Sequence, residues 1–213
     1  MKNKKTYYHL ILDHSGSMSN CWVPTTQAFS NQMVKINQLA KDFPDQEFMV
    51  SVCVFNEEVK FPSWPVRAGS GKLPSIESIM PSGSTALFDS IGESVKKIQS
   101  IAGHELSKDE ATVVMVILTD GYENASRNYS SNAIRSLMDE LKGTEKWSFA
   151  FVGADFDITA ITKDMNVDAG NRANFSKSNM HGLFNHMEES LRDYARDKQA
   201  GKTRKNFFGG NNN

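Results

Sequence analysis

The stretch LILDHSGSMS, residues 10–19, joins a short apolar run to an acid and two hydroxyls at alternate positions. The apolar run is too short for a helix and rich in strand-forming residues, so it predicts a buried strand. Asp13, Ser15 and Ser17 would then lie in the loop at its carboxyl end. All three supply oxygen, which Mg²⁺ and Mn²⁺ prefer, whereas zinc and copper favour nitrogen and sulfur. The stretch therefore predicts part of a metal site at a strand end.

The length and charge of the chain limit what it can be. Its 213 residues are enough for one α/β domain with a sizeable core. We expect a single domain over 1–199 and a flexible tail over 200–213, because that tail is too polar and glycine-rich to bury a core of its own. The formal net charge of −1 does not favour nucleic acid as a partner.

The cysteine count and the apolar pattern indicate a compartment. Two cysteines, Cys21 and Cys53, argue against a disulfide framework and favour reducing conditions. No apolar stretch approaches the roughly 18 residues of a membrane span. The basic N-terminus is not followed by the apolar run of a signal peptide. We therefore expect a cytoplasmic protein, monomeric by itself, with no membrane partner.

Strand and helix patterns alternate along the chain. This alternation predicts a doubly wound, mostly parallel sheet with helices on both faces. Strands are expected at 7–12, 48–55, 59–61, 112–118, 147–152 and 173–176. The second and third of these form a predicted hairpin, which adds one antiparallel edge strand. Helices are expected from Thr25 or Thr26 to Pro44, from Thr85 to about 102, and at 132–141, 158–165 and 181–199. The segment 62–84, rich in Pro, Gly and Ser, is expected to be a long surface connection.

Two further oxygen donors follow predicted strands. In a doubly wound sheet, ligands bind at the carboxyl ends of the strands. Thr85 comes directly after Gly83-Ser84 at the start of a predicted helix, and Asp120 directly follows the most apolar strand. Thr85 and Asp120 could each be no more than a helix cap or a turn residue. Their shared position at one sheet edge favours a common site with the acid and hydroxyls of 13–17.

These motifs together resemble the von Willebrand factor type A (VWA) domain. That family carries a metal-ion-dependent adhesion site (MIDAS), written D-x-S-x-S followed by a distant Thr and a distant Asp. DHSGS at 13–17, GSTAL at 83–87 and LTDG at 118–121 fill this pattern, and the resemblance covers about 6–198. The chain is most similar to the stand-alone, intracellular, bacterial type of domain, with a Rossmann-like fold.

The resemblance also implies a ligand set and a function. Ser15, Ser17 and Thr85 would donate hydroxyl oxygens to a Mg²⁺ ion, or to Mn²⁺, with Ca²⁺ less expected. Asp13 and Asp120 would bind the ion directly or through water. An open coordination position would accept a Glu or Asp carboxylate from another protein. The chain would then be an adaptor in an intracellular multiprotein system, with no enzymatic activity.

Two other functions stay open at this point. A metal-dependent phosphoester hydrolase of the haloacid dehalogenase type also begins with an Asp at a strand end. That chemistry needs a second acid two residues later, where this chain has Ser15. The other alternative is a structural VWA domain whose site has no metal function. His14 and the apolar pair Trp22 and Val23 depart from the usual motif, and we expect a contact surface there.

Overall fold

A six-stranded sheet forms the centre of the computed structural model, which describes residues 4–70, 73–155 and 157–209. The strands are β1 (Lys5–Asp13), β2 (Glu47–Phe55), β3 (Val59–Arg67), β4 (Ala111–Thr119), β5 (Trp147–Ala154) and β6 (Arg172–Phe175). Their order across the sheet is β3-β2-β1-β4-β5-β6. All neighbours are parallel except β2 and β3, which form the antiparallel edge. The predicted fold class is therefore confirmed.

Helices cover both faces of this sheet. They are α1 (Trp22–Asp42), α2 (Leu87–Ser107), α3 (Ser131–Gly143), α4 (Thr159–Asp164) and α5 (Met180–Gln199). Alternate residues of β1 point to opposite faces. Leu10 and Leu12 join a core with α1 and α5, whereas Ile11 joins a core with α2 and α3. In the part of the chain described, no helix is long and apolar enough to cross a bilayer.

The strand register aligns the carboxyl ends of β1, β2 and β4 at one edge of the sheet. Asp13 pairs with Phe55 of β2, and Leu12 pairs with Leu118 of β4. Thr119 and Asp120 therefore leave the sheet beside Asp13. The parallel pairing of three central strands brings segments that are distant in sequence to one carboxyl edge.

Two predicted boundaries around the early helices are wrong. α1 begins at Trp22 instead of Thr25 or Thr26, and the Thr25 hydroxyl donates back to the Cys21 carbonyl at 2.8 Å. α2 begins at Leu87 instead of Thr85 and runs through Gly103 to Ser107. A single glycine lowers helix stability by only about 1 kcal/mol, which long flanking turns can offset.

The predicted connection over 62–84 is also shorter than expected. β3 continues to Arg67 and keeps its pairing with β2 through two register shifts. Pro62 and Pro65 lie within this strand. Proline is tolerated there because an edge strand has one row of amides that needs no partner in the sheet.

The C-terminal segment differs from the predicted flexible tail. Within 200–209, Phe207 packs into the core and is only 1% exposed, although most of its neighbours in this segment are exposed. Its amide donates to Asn171 Oδ1 at 2.6 Å, and its ring lies 6.3 Å from that of Tyr8. The prediction of a flexible tail rested on the polarity and glycine content of this segment. The contacts of the Phe207 ring and amide with Tyr8 and Asn171 hold the segment to the domain instead. Residues 210–213 of the predicted tail lie outside the described part.

We expect Phe207→Ala to lower the free energy of unfolding by about 3 kcal/mol, since it empties a fully buried aromatic site. Phe208→Ala is the matched control, because Phe208 is only partly buried against the same core. Urea denaturation of both variants measures the difference. Equal stability of Phe207→Ala and the unchanged protein would support the flexible tail instead.

Candidate metal centre

Asp13, the last residue of β1, has no exposed surface. Its Oδ1 accepts the Ser15 amide at 2.8 Å, and its Oδ2 accepts the Thr119 hydroxyl at 2.7 Å. Burial raises the pKa of this carboxyl, and the hydrogen bonds from Thr119 and Ser15 lower it by less. The side chain is therefore fixed in orientation and remains costly to ionise.

A chain of hydrogen bonds connects the other residues near Asp13. Ser15 Oγ lies 3.1 Å from Ser17 Oγ, and the Ser17 hydroxyl donates to Asp120 Oδ1 at 2.7 Å. Ser17 belongs to a short 3-10 turn, Gly16–Asn20, that follows β1. Four of the five predicted site residues are therefore joined through contacts of hydrogen-bond length.

The fifth residue, Thr85, is positioned by a loop from the other side of the sheet edge. Its amide donates to Asn124 Oδ1 at 2.8 Å, and its carbonyl accepts the Asn124 amide at 3.0 Å. A Cβ placed on Gly121 would lie 3.9 Å from Thr85 Oγ1. The Thr85 hydroxyl is therefore beside the Asp120-Gly121 peptide, and the structure brings all five predicted residues together.

The loops that carry these residues are bonded to one another. The Gly16 amide donates to the Gly83 carbonyl at 3.0 Å, and the Ser82 amide donates to the His14 carbonyl at 2.9 Å. Gly83 has a φ of +73°, and a Cβ there would lie 1.7 Å from a Glu57 carboxylate oxygen. Glycine is favoured at this position, since a side chain would strain the backbone and displace the Glu57 carboxylate, which accepts the Ser84 amide at 2.7 Å.

Sequence reasoning missed the two acids that hold the loop after Asp120. Glu123 accepts the amides of Phe88, Ala125 and Ser126 and the Ser126 hydroxyl. Asp89 accepts the amides of Arg127, Asn128 and Tyr129 and the Asn128 side chain. These acids tie the loop to the start of α2 and thereby support Thr85. The four donors to Asp89 lie 38 to 40 residues away, and the bond that ties Glu123 to α2, from the Phe88 amide, spans 35 residues, so no local pattern marks this connection.

Sequence reasoning also missed Lys177, which follows β6 in the 3-10 turn Lys177–Asn179. Its Nζ lies 2.5 Å from Asp120 Oδ2 and donates to the Ser17 carbonyl at 3.1 Å. Its side chain is 16% exposed, whereas the Asp120 side chain is fully buried. A cationic side chain therefore contacts one of the predicted metal ligands.

Comparison with known families identifies the domain. Residues 9–189, well over half of the chain, match the von Willebrand factor type A domain. The chain belongs to the VWA family. No curated protein sequence matches it.

Solved structures show the same fold at low sequence identity. The vWF domain of the type V pili tip protein Mfa5 from Porphyromonas gingivalis has a TM-score of 0.64 at 9% identity, covering 96% of this chain and 98% of that one. Proximal thread matrix protein 1 of the mussel byssus, with a zinc-occupied MIDAS motif, has a TM-score of 0.59 at 16% identity, covering 90% and 46%. The ArnB paralogue VWA2 from Sulfolobus acidocaldarius scores 0.55 at 16%, covering 88% and 46%. This chain therefore spans under half the length of the latter two.

The residues that depart from the usual motif have different positions in this VWA domain. His14 and Trp22 are buried, with ring centroids 6.2 Å apart, and Trp22 Nε1 donates to the Ile79 carbonyl at 2.6 Å. Val23 is 64% exposed. The expected contact surface is therefore reduced to Val23, because His14 and Trp22 pack beneath the site loops.

The donor set fits a hard divalent cation. Among the described residues, no three His, Cys, Asp or Glu side chains are grouped to bind a metal. The VWA site instead combines two carboxylates with hydroxyl oxygens, which suits Mg²⁺ or Mn²⁺. Within the described ranges, Asp120 Oδ2 has the Lys177 ammonium as its partner and accepts no other bond. It is a buried carboxylate oxygen with capacity for a cation.

The raised pKa of Asp13 predicts a pH effect in the presence of EDTA. The folded state binds more protons than the unfolded chain, so this group's contribution to stability falls as pH rises from its ordinary pKa through the raised one. We expect the melting temperature of Asp13→Asn to fall less than that of the unchanged protein between acid and neutral pH. Parallel thermal scans across that range measure this. Identical profiles would contradict it.

Proposed function

We propose that this VWA domain is a metal-dependent protein–protein interaction module that grips an acidic side chain of its partner. VWA domains generally mediate protein–protein interaction, and some use a metal site. The observation that carries the proposal is the convergence of Asp13, Ser15, Ser17, Thr85 and Asp120 at the carboxyl edge of the sheet.

The chemistry of the donors explains how the metal would bind a partner's carboxylate. The hydroxyls of Ser15, Ser17 and Thr85 would bind the ion, and Asp13 and Asp120 would hold it directly or through water. Mg²⁺ keeps several waters in near-octahedral geometry. Because only two ligands carry charge, the bound ion would attract a third carboxylate from outside. Partner affinity would then require both the metal and a Glu or Asp side chain.

Several finer features belong to the same proposal. We propose Mg²⁺ or Mn²⁺ as the ion, ahead of Ca²⁺. The zinc-occupied MIDAS motif of the mussel byssus protein makes Zn²⁺ a necessary comparison in any test. We also propose a cytoplasmic adaptor of bacterial type, monomeric without its partner.

We propose that this chain has no enzymatic activity. A hydrolase of the haloacid dehalogenase type needs an acid two residues after Asp13, and the residue there is Ser15. The Ser15 hydroxyl instead contacts Ser17 within the site. No other acid follows Asp13 within the turn Gly16–Asn20, so a general acid from this loop is missing.

Metal binding is expected to raise stability, because a ligand that binds only the folded state adds about 2.7 kcal/mol at a hundred times its Kd. Adding Mg²⁺, Mn²⁺ or Zn²⁺ after EDTA treatment should raise the melting temperature of the unchanged protein. Ser17→Ala should reduce this rise. Ser19→Ala is the matched control, since Ser19 lies in the same turn but its exposed hydroxyl bonds the Gly16 carbonyl.

The same melting experiment can refute the metal site. If the melting temperature in EDTA equals that in excess Mg²⁺, Mn²⁺ and Zn²⁺, the domain is structural. If Ser17→Ala and Ser19→Ala lose the metal effect equally, the ion binds elsewhere. The ranking of the three ions identifies the metal that the site prefers.

Partner capture is expected to depend on the same residues. The immobilised domain should retain a protein from cell extract in Mg²⁺ and release it in EDTA, as measured by quantitative mass spectrometry. Asp13→Asn should lose this protein, whereas Ser19→Ala should keep it. Replacing the critical Glu or Asp of the captured protein by its amide should abolish binding. Capture that survives Asp13→Asn or the amide replacement would rule out the proposed grip.

A further inference from the structure

Lys177 places a positive charge between two of the five site residues. Its Nζ contacts Asp120 Oδ2 at 2.5 Å and the Ser17 carbonyl oxygen at 3.1 Å. The other oxygen of Asp120 is already engaged by the Ser17 hydroxyl at 2.7 Å. The ammonium is therefore the cation that balances this buried carboxylate.

A divalent ion at the same site would compete with that ammonium. A metal held by Asp120 and Ser17 would lie within a few ångströms of Nζ, and like charges so close in a largely buried site repel strongly. Metal binding would therefore require the Lys177 ammonium to move away from Asp120.

We propose that Lys177 is an internal cation that competes with the divalent metal for Asp120 and thereby sets the metal affinity of the site. This inference rests on the proposed metal function. The observed affinity equals the intrinsic affinity multiplied by the fraction of molecules in which Lys177 has left Asp120. Lys177 thus decides how much free metal the domain needs before it can bind a partner.

Displacement of Lys177 would also affect the start of the last helix. Lys177 lies in the turn Lys177–Asn179, and α5 begins at the next residue, Met180. The contacts of Lys177 hold this turn to the loop that contains Ser17. Metal binding would break that connection and expose the turn to faster hydrogen exchange, which gives a second measurement independent of affinity.

The experiment compares Lys177→Met with a matched lysine far from the site. Methionine keeps the apolar stem of the side chain and removes its charge. Lys142 is the control, because it too pairs with a carboxylate, Asp139 at 2.8 Å, and donates to a backbone carbonyl, that of Asn166 at 2.7 Å. Isothermal titration with Mn²⁺ alone measures the Kd of Lys177→Met, Lys142→Met and the unchanged full chain.

We expect Lys177→Met to bind Mn²⁺ about 10- to 100-fold more tightly, the factor that corresponds to losing one hydrogen-bonded charge contact. Lys142→Met should bind as the unchanged protein does. In EDTA, Lys177→Met should melt at a lower temperature, since it leaves the Asp120 carboxylate without its cation. Mn²⁺ should speed amide exchange over 176–180 in the unchanged protein but not in Lys177→Met.

Each contrary result has one meaning. If Lys177→Met binds Mn²⁺ equally or more weakly than the unchanged protein, competition by Lys177 is overturned while the metal site stands. If Mn²⁺ binds none of the three proteins, the proposed metal function and this inference both fail. A melting temperature check in EDTA confirms that each variant is folded, and Lys177→Gln repeats the test if Lys177→Met is not.

Discussion

The buried carboxylate of Asp13 is the constraint around which the carboxyl edge of the sheet is arranged. It links the loop after β1 to the end of β4 through the Ser15 amide and the Thr119 hydroxyl. Its pKa is raised by burial, so its ionised form lowers the stability of the fold in the absence of a compensating cation. A bound cation would offset this cost.

The loops at this edge hold one another as well as the sheet. Backbone hydrogen bonds join the loop after β1 to the segment around Gly83, and Asn124 joins that segment to the loop after β4. Asp13, Ser17, Thr85 and Asp120 each have a partner from a distant part of the chain, whereas Ser15 is held within its own loop by Asp13 and Ser17. Hydroxyl oxygens positioned in this way need little reorganisation on binding a ligand, which favours affinity. Substitution of Gly83 would therefore disturb the loop after β1, the segment around Gly83 and the loop after β4.

The features that could be predicted from the sequence alone are those that depend on local pattern. Buried strands follow from apolar runs, and a shared sheet edge follows from the strand ends that carry Asp13 and Asp120, so the fold class and the gathering of the five site residues were accessible. Features that depend on distant partners were not. Lys177 lies in no recognisable motif, and its place at the site is seen only from its contact with Asp120. The burial of Phe207 likewise depends on Tyr8 and Asn171, which lie far away in sequence.

The number of donors around each carboxylate separates structural acids from site acids. A carboxylate offers about four acceptor positions. Asp89 and Glu123 each accept four hydrogen bonds, mostly from backbone amides, and so are saturated by the protein. Among the described residues, Asp13 accepts the Thr119 hydroxyl and hydrogen bonds from Ser15, and Asp120 accepts the Ser17 hydroxyl and pairs with an ammonium. Acids that only brace a loop gain by being saturated, whereas acids that bind a cation must keep electron pairs free. This unequal saturation within one cluster of loops supports the proposal that Asp13 and Asp120 bind an ion.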